Sequence, residues 1–247
     1  MKYILSLVIC IVIAIALVFP ACADTPQEIT VATNASSRPF EFVNIQTDKI
    51  EGFDIDLLNA IAAKEGLKVK YVDVQFDAVL AGVAACEYDA GISSITITPE
   101  RSEKILFSEP YFTAGQIIVV QKGNTEIVNK NSLNGKIVGV LAGSTGNEEA
   151  AKISGINVKE YSEISFAYND LTKGTIDAVI YDNSLAQFYI NTNPGIFKTV
   201  GNLMTEENYG IAVCKDNKKL LDKINSGLKK VREEGIIDSL IKKWIGG

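Results

Sequence analysis

Two hydrophobic periods alternate along the chain. Residues 29–33, 69–74 and 89–92 are short strand-like runs. Between them, Phe53–Glu65 places Ile55, Leu58, Ile61 and Ala62 at spacings of three and four, and 76–85 is a second helical stretch. This β-α-β-α-β order predicts a parallel sheet with helices on both faces.

The pattern then repeats. Strand-like runs at 117–121, 136–141, 158–161 and 177–181 alternate with helical stretches at 145–153, Ile164–Lys173 and 183–189. A late strand at 209–213 precedes two amphipathic helices. Their stripes are Leu220, Ile224, Leu228 and Val231, then Ile237, Leu240, Ile241 and Trp244, and both read as core faces. Breaks fall near 113–115 and 206–209. A chain that completes two α/β units and then adds a strand and helices can return to its first unit. Two crossings between the units make a hinge beside a cleft.

The N-terminus stands apart from this rhythm. Lys2 precedes an apolar run at 4–19 broken only by Ser6, and Ala21-Cys22-Ala23 follows. Residues 1–23 read as an export signal with a small-residue cleavage site. Phe19-Pro20-Ala21-Cys22 also resembles a degenerate lipoprotein box, with Cys22 lipidated. Either processing places the mature chain outside the cytoplasmic membrane. Export permits Cys86 and Cys214 to pair. Their apolar flanks, Val83-Ala84-Ala85 and Ile211-Ala212-Val213, favour instead two small core residues.

Composition narrows the chemistry. The 247 residues contain no histidine, which excludes Ser-His-Asp and Cys-His triads, an imidazole base and histidine metal sites. A formal charge of −6 argues against nucleic acid as a partner. Only three residues are arginine, Arg38, Arg101 and Arg232, among 24 cationic side chains.

Ligands of open parallel sheets bind beyond the carboxyl ends of the strands. The residues there are Asn34 and Ser37, then Ser93, Ser94 and Thr96 followed by Arg101, then Leu141 with Gly143-Ser144-Thr145-Gly146, then Asp182. They supply hydroxyls, one cation, one anion and a glycine-rich helix start, with no nucleophile–base pair. Each has an ordinary structural reading too. Ser144 or Thr145 suits an N-cap, Arg101 a solvated charge, and Asp182 an N-cap carboxylate. Asp54 and Asp56 read as first-turn charges that favour the helix dipole. Phe76 suits a core or an apolar wall beneath a ligand. Taken together, Arg101 and the amides at Ser144 and Thr145 suit a carboxylate, since arginine binds it bidentately where lysine does not. Asp182 and Thr96 suit an ammonium. The ligand so implied is an α-amino acid zwitterion.

Three stretches carry a family resemblance: 52–62 (Gly-Phe-Asp-Ile-Asp-Leu-Leu-Asn-Ala-Ile-Ala), 95–101 (Ile-Thr-Ile-Thr-Pro-Glu-Arg) running into 107–111, and 138–146 (Val-Gly-Val-Leu-Ala-Gly-Ser-Thr-Gly). In this order, behind an export signal, the chain resembles the periplasmic polar amino-acid-binding proteins of ABC importers. The resemblance runs from about residue 29 to 244. It implies a bilobal α/β fold of the Venus-flytrap type, with lobe 1 at 24–113 plus 209–247 and lobe 2 at 114–208. It implies a monomer that captures a free amino acid, needs no cofactor or metal, and docks on the membrane subunits of an ABC permease. Position by position, Arg101 and the Ser144–Thr145 amides would hold the carboxylate. Ser94 and Thr96 would hydrogen-bond the ligand's backbone groups, Asp182 would hold the ammonium, Asn34, Ser37 and Phe76 would face the side chain, and Ser93 and Leu141 would complete the site. Asn34 is neutral where receptors for cationic side chains often carry an acid, and Ser37 is small where many carry an aromatic. Both favour an uncharged polar ligand such as glutamine. A dehydratase of the cyclohexadienyl type, or a sensor, are alternatives on the same fold.

Overall fold

The computed structural model describes residues 26–246, so the leader and Cys22 lie outside the described residues. The first unit starts with β1 (Gln27–Thr33) and a small sheet of β2 (Ser36–Ser37), β3 (Glu41–Asn44) and β4 (Lys49–Glu51). It continues through α1 (Phe53–Glu65), β5 (Leu67–Asp73), α2 (Phe76–Ala84), β6 (Ala90–Gly91), α3 (Pro99–Ser102) and β7 (Leu106–Phe107). Strand β8 (Phe112–Ala114) leads into the second unit. This holds β9 (Gln116–Gln121), β10 (Ile137–Leu141), α4 (Thr145–Ala151), β11 (Asn157–Tyr161), α5 (Ile164–Lys173), β12 (Ala178–Asp182), α6 (Asn183–Thr192) and β13 (Phe197–Val200). The chain returns through β14 (Glu207–Tyr209) to β15 (Ala212–Val213), α7 (Lys218–Glu233) and α8 (Ile236–Trp244).

Each unit contains one five-stranded sheet, ordered β5-β1-β6-β15-β7 and β11-β10-β12-β9-β13. The predicted parallel core is present in both: β1 pairs β5 and β6 in parallel, and β10 pairs β11 and β12 likewise. Neither sheet is wholly parallel. Strand β15 runs antiparallel to β6 and β7, while β9 runs antiparallel to β12 and β13. Hydrophobic periodicity marks a strand but not its direction, so this difference was not visible in the pattern. The single late strand expected at 209–213 is two strands, β14 and β15, in different sheets. The small sheet at 36–51 and β13 were not anticipated, because their short runs carry little apolar periodicity.

The helical stripes pack as their spacing predicts. Leu220, Ile224, Leu228 and Val231 are all buried, and α7 lies along α1. Gly227 permits the approach, since a Cβ there would stand 2.8 Å from Ile61 Cγ2. On α8, Ile237 is buried and Leu240, Ile241 and Trp244 pack partly buried against the core.

Two strands join the units. β8 and β14 form an antiparallel ribbon in which Phe112 faces Tyr209. The two rings stack at 5.7 Å, and Phe40 meets both edge-on at 5.0 and 5.7 Å. Such a cluster anchors the ribbon by burial and by favourable edge–face geometry.

Cys86 and Cys214 form a disulfide, which corrects the expectation of two separate core residues. Cys86 is exposed and sits at φ 58, just past the end of α2. Its apolar neighbours belong to the helix that ends there, so they do not bury it.

Candidate ligand-binding cleft

One small cavity lies between the two units. Ser37, Phe76, Ser93, Ser94, Thr96, Arg101, Leu141, Ser144, Thr145 and Asp182 all line it, together with Tyr181 and Leu185. Every expected site residue except Asn34 is therefore in the wall. Asn34 is buried behind it, where its Nδ2 donates to Val74 O at 3.1 Å and its Oδ1 accepts from Ser36 Oγ at 2.7 Å. It shapes the turn that carries Ser37. Tyr181 and Leu185 were missed as neighbours of Asp182, although Tyr181 directly precedes it at the end of β12.

The cation comes from the first unit. Thr98 caps α3 by accepting from Arg101 N, and Pro99 opens the helix. Arg101 is only 8% exposed, which rules out the solvated-charge reading. Its Nη1 donates to Thr96 O at 2.8 Å, and its Nη2 donates across the cleft to Gly143 O at 3.0 Å. Burial pushes this guanidinium down from its ordinary value, while Glu148, Glu207 and Asp182 push it back. Phe76 lies beneath it, the guanidinium carbon 5.7 Å from the ring centroid.

The second unit supplies the opposite wall. Gly143 adopts φ 71, and a Cβ there would stand 3.2 Å from Asp77 Cβ, so both the turn and the close approach favour glycine. Ser144 caps α4, its Oγ accepting from Asn147 N at 3.2 Å and donating to Leu141 O at 2.8 Å. The N-cap reading is thus correct for Ser144. It leaves the N–H groups of Thr145 and Gly146 without intrahelical acceptors, at the positive end of the helix dipole.

Asp182 occupies the N-cap position of α6, but its side chain makes no capping bond. Instead its Oδ1 accepts from Tyr209 Oη at 2.7 Å. Burial, then the nearby Glu207, raises its carboxyl to about 6.

Glu207, which the sequence reading did not select, ties these parts together. Its Oε2 accepts from Thr96 Oγ1 at 2.6 Å and Thr145 Oγ1 at 2.8 Å, and its Oε1 accepts from Thr205 Oγ1 at 2.7 Å. It sits on β14, so the ribbon itself holds a hydroxyl from each wall. Both hydroxyl protons are spent on Glu207. Thr96 and Thr145 therefore turn lone pairs, not protons, towards any other partner.

Asp54 departs most from expectation. The N-cap of α1 is Gly52, with no side-chain cap, and Asp54 is fully buried. Its Oδ2 accepts from Ser94 N at 2.7 Å and Tyr111 Oη at 2.9 Å. The signal was present: Asp54 falls on the stripe of Leu57, Leu58 and Ile61, whereas Asp56 does not. Asp56 binds Trp244 Nε1 and Lys243 Nζ, each at 2.8 Å, fastening α8 to α1.

These buried carboxyls set the pH response of the fold. Burial raises Glu41 well above its ordinary range and Asp54 to about 7. Asp182 is raised as well, so the native state keeps protons that the unfolded chain releases above about pH 4. Stability from these groups is lost as pH rises towards about 7, on the order of 1.4 kcal/mol per pH unit for each proton the native state keeps. Surface acids held low by lysine hydrogen bonds, such as Glu28, Glu126 and Asp170, lose their contribution only below their ordinary values. Thermal unfolding should therefore show a higher Tm near pH 5 than near pH 7.5. A flat or rising profile across that range would contradict these raised values.

Two α/β units joined by a two-stranded ribbon, with opposite charges converging from both sides of one cleft, define a two-lobed capture protein. The chain belongs to the bacterial extracellular solute-binding proteins, family 3, whose pattern matches residues 29–247. It is 31% identical over 231 residues to a probable histidine-binding protein of Neisseria gonorrhoeae, covering 91% of this chain and 85% of that one. An ancestral arginine-binding protein solved bound to glutamine is 41% identical, with a TM-score of 0.84 over 89% of this chain and 98% of that one. The arginine-, lysine-, histidine-binding protein ArtJ of Geobacillus stearothermophilus is 36% identical, with a TM-score of 0.84 over 90% of this chain and 96% of that one. No helix of the described residues is long and apolar enough to cross a membrane.

Proposed function

We propose that this protein captures one polar L-amino acid outside the cytoplasmic membrane and presents it to an ABC permease. The observation that carries this reading is the placement of Arg101 and Asp182, opposite charges from opposite lobes, in the wall of one cavity. In this reading the lobes divide at 113/114 and 208/209, and β8 and β14 are the hinge.

The cavity measures about 20 Å³, roughly the room for one water, so the lobes must part to admit an amino acid. The ligand carboxylate then takes the place of Gly143 O on Arg101 and meets the N–H groups at the start of α4. The ammonium takes Asp182 and the lone pairs of Thr96 and Ser94. Because the ligand bridges both lobes, its binding free energy favours closure. The side chain faces Ser37, Phe76, Tyr181 and Leu185. None of these is charged, and Asn34 is engaged in its own turn, which supports a neutral polar side chain such as that of glutamine. Ancestral arginine-binding relatives have been solved with glutamine and with arginine, so the choice of a neutral side chain rests on these cleft residues. Bond chemistry has no part here: Asp182, the acid a dehydratase would need, is instead the partner of the ammonium. The mature chain acts as a monomer, either free or held through Cys22.

A thermal-shift screen of the twenty amino acids with ornithine and cystine tests the reading. Ligand at 100 times Kd adds about 2.7 kcal/mol, which for a chain of this size raises Tm by roughly 5–10 °C. Glutamine should give the largest shift. A largest shift with arginine would correct the side-chain assignment alone, and no shift with any compound would overturn the reading.

A further inference from the structure

Beneath the amino side of the cleft lies a pair of carboxyls that the capture mechanism leaves unused. Glu41 on β3 and Asp54 on α1 are each 0% exposed. Glu41 Oε1 accepts from Ser93 Oγ and its Oε2 from Ser94 Oγ, both at 3.2 Å. Asp54 Oδ2 accepts from Ser94 N and Tyr111 Oη, so both acids converge on Ser94. The two carboxyls lie close enough that each acts on the titration of the other.

Charge and hydrogen-bond accounting together require a proton here. The groups bearing on the pair are each other, Ser93 and Ser94 after β6, and Tyr111 before β8; among the described residues no lysine or arginine acts on either acid. The nearest arginine in sequence, Arg38, lies over the Phe42 ring at 4.0 Å, and Phe42 points to the other face of β3. Two buried carboxylates without a cation cannot both be ionised. The fourth oxygen of the pair, Asp54 Oδ1, is buried with no donor. A proton shared with Glu41 gives it one.

We propose that Glu41 and Asp54 hold a single proton between them and form a positioning dyad, which fixes the Ser93 and Ser94 hydroxyls as hydrogen-bond acceptors towards the cleft. Each hydroxyl has one proton, and each gives it to Glu41. What remains is lone pairs, of which Asn34 N takes one on Ser93 at 3.0 Å and the others are open to the cleft, the polarity an ammonium needs. The same dyad holds Ser94 in place. Ser94 has φ 49, a left-handed conformation that costs a non-glycine residue energy unless its surroundings over-determine it. Bonds from its N–H to Asp54 and from its hydroxyl to Glu41 do so. The assignment deepens the amino-acid reading and rests on it for the identity of the cleft ligand.

Glu41→Gln tests the dyad at nearly constant volume. Its amide N–H donates to a serine instead of accepting from it, and the displaced hydroxyl proton swings towards the ammonium. Infrared spectra of the full chain at about pH 8, where Asp182 is ionised, should show a deuterium-sensitive carboxylic-acid C=O band that Glu41→Gln removes. Calorimetry with glutamine should show roughly tenfold weaker binding in Glu41→Gln, with the circular dichroism unchanged. In a Ser93→Ala, Ser94→Ala background the same substitution should cost less than about twofold, since its effect passes through those hydroxyls. Absence of the acid band in the wild type, or equal losses in both backgrounds, overturns the dyad. Failure of the wild type to bind any amino acid overturns the functional reading instead, and the infrared band still decides the proton.

Discussion

Arg101→Ala should abolish measurable amino-acid binding while leaving the fold intact. The guanidinium reaches both lobes, donating to Thr96 O and Gly143 O, and Phe76 shields it from below. Hydrogen bonds to a charged partner contribute about 1.5–3 kcal/mol each. A bidentate pair at this site therefore accounts for roughly 10²- to 10⁴-fold in Kd. Arg101→Lys should restore little of it, because an ammonium presents a point charge where the carboxylate needs a planar fork. The fold is preserved because neither carbonyl that Arg101 serves belongs to the sheet core. Calorimetry and circular dichroism on the same samples separate the two effects. Near-wild-type affinity in Arg101→Ala would sink the assignment of the carboxylate site.

Reducing the Cys86–Cys214 bond, or replacing both cysteines with serine, should lower the unfolding free energy by about 3–5 kcal/mol. The cross-link spans 128 residues of sequence. For a closed loop of that length the chain-entropy model gives about 5 kcal/mol, and measured values tend to fall below it. Cys86 is exposed, so a reductant reaches the bond in the native state. Phe76 is at the far end of α2 from Cys86 and the other cleft residues lie outside that helix, so ligand binding at low temperature should persist after reduction. Urea titrations of the oxidised and reduced protein provide the measurement, and a difference under about 1 kcal/mol would contradict a stabilising role.

What could be read from the sequence follows from which rules act locally. The cleft was legible because the ends of β1, β6, β10 and β12 each deliver their next residues to one place, and a parallel arrangement fixes which ends those are. Arg101 stood out because arginine is rare in this chain and its motif opens a helix. Residues that act from short strands were not legible. Glu41 and Glu207 sit on strands of four and three residues, too short for a periodic signal to show which face is buried. Their importance comes from partners far along the chain, with Glu207 joining Thr96 and Thr145. Asp54 was misread because the helix-dipole rule and the buried-stripe rule both applied to it, and packing won. Cys86 was misread because its apolar neighbours face the core from a helix that has already ended.

The place of β15 in its sheet has a temporal consequence. It lies between β6 and β7, so the first lobe has a gap within its sheet until Ala212 and Val213 arrive. The other large sheet is drawn entirely from Gln116–Gln121 through Phe197–Val200, one unbroken stretch of chain. A ribosome or a translocation channel releases the N-terminus first. The lobe that begins first is thus the one that finishes last, and the middle of the polypeptide can be folded while both of its flanks still wait for each other.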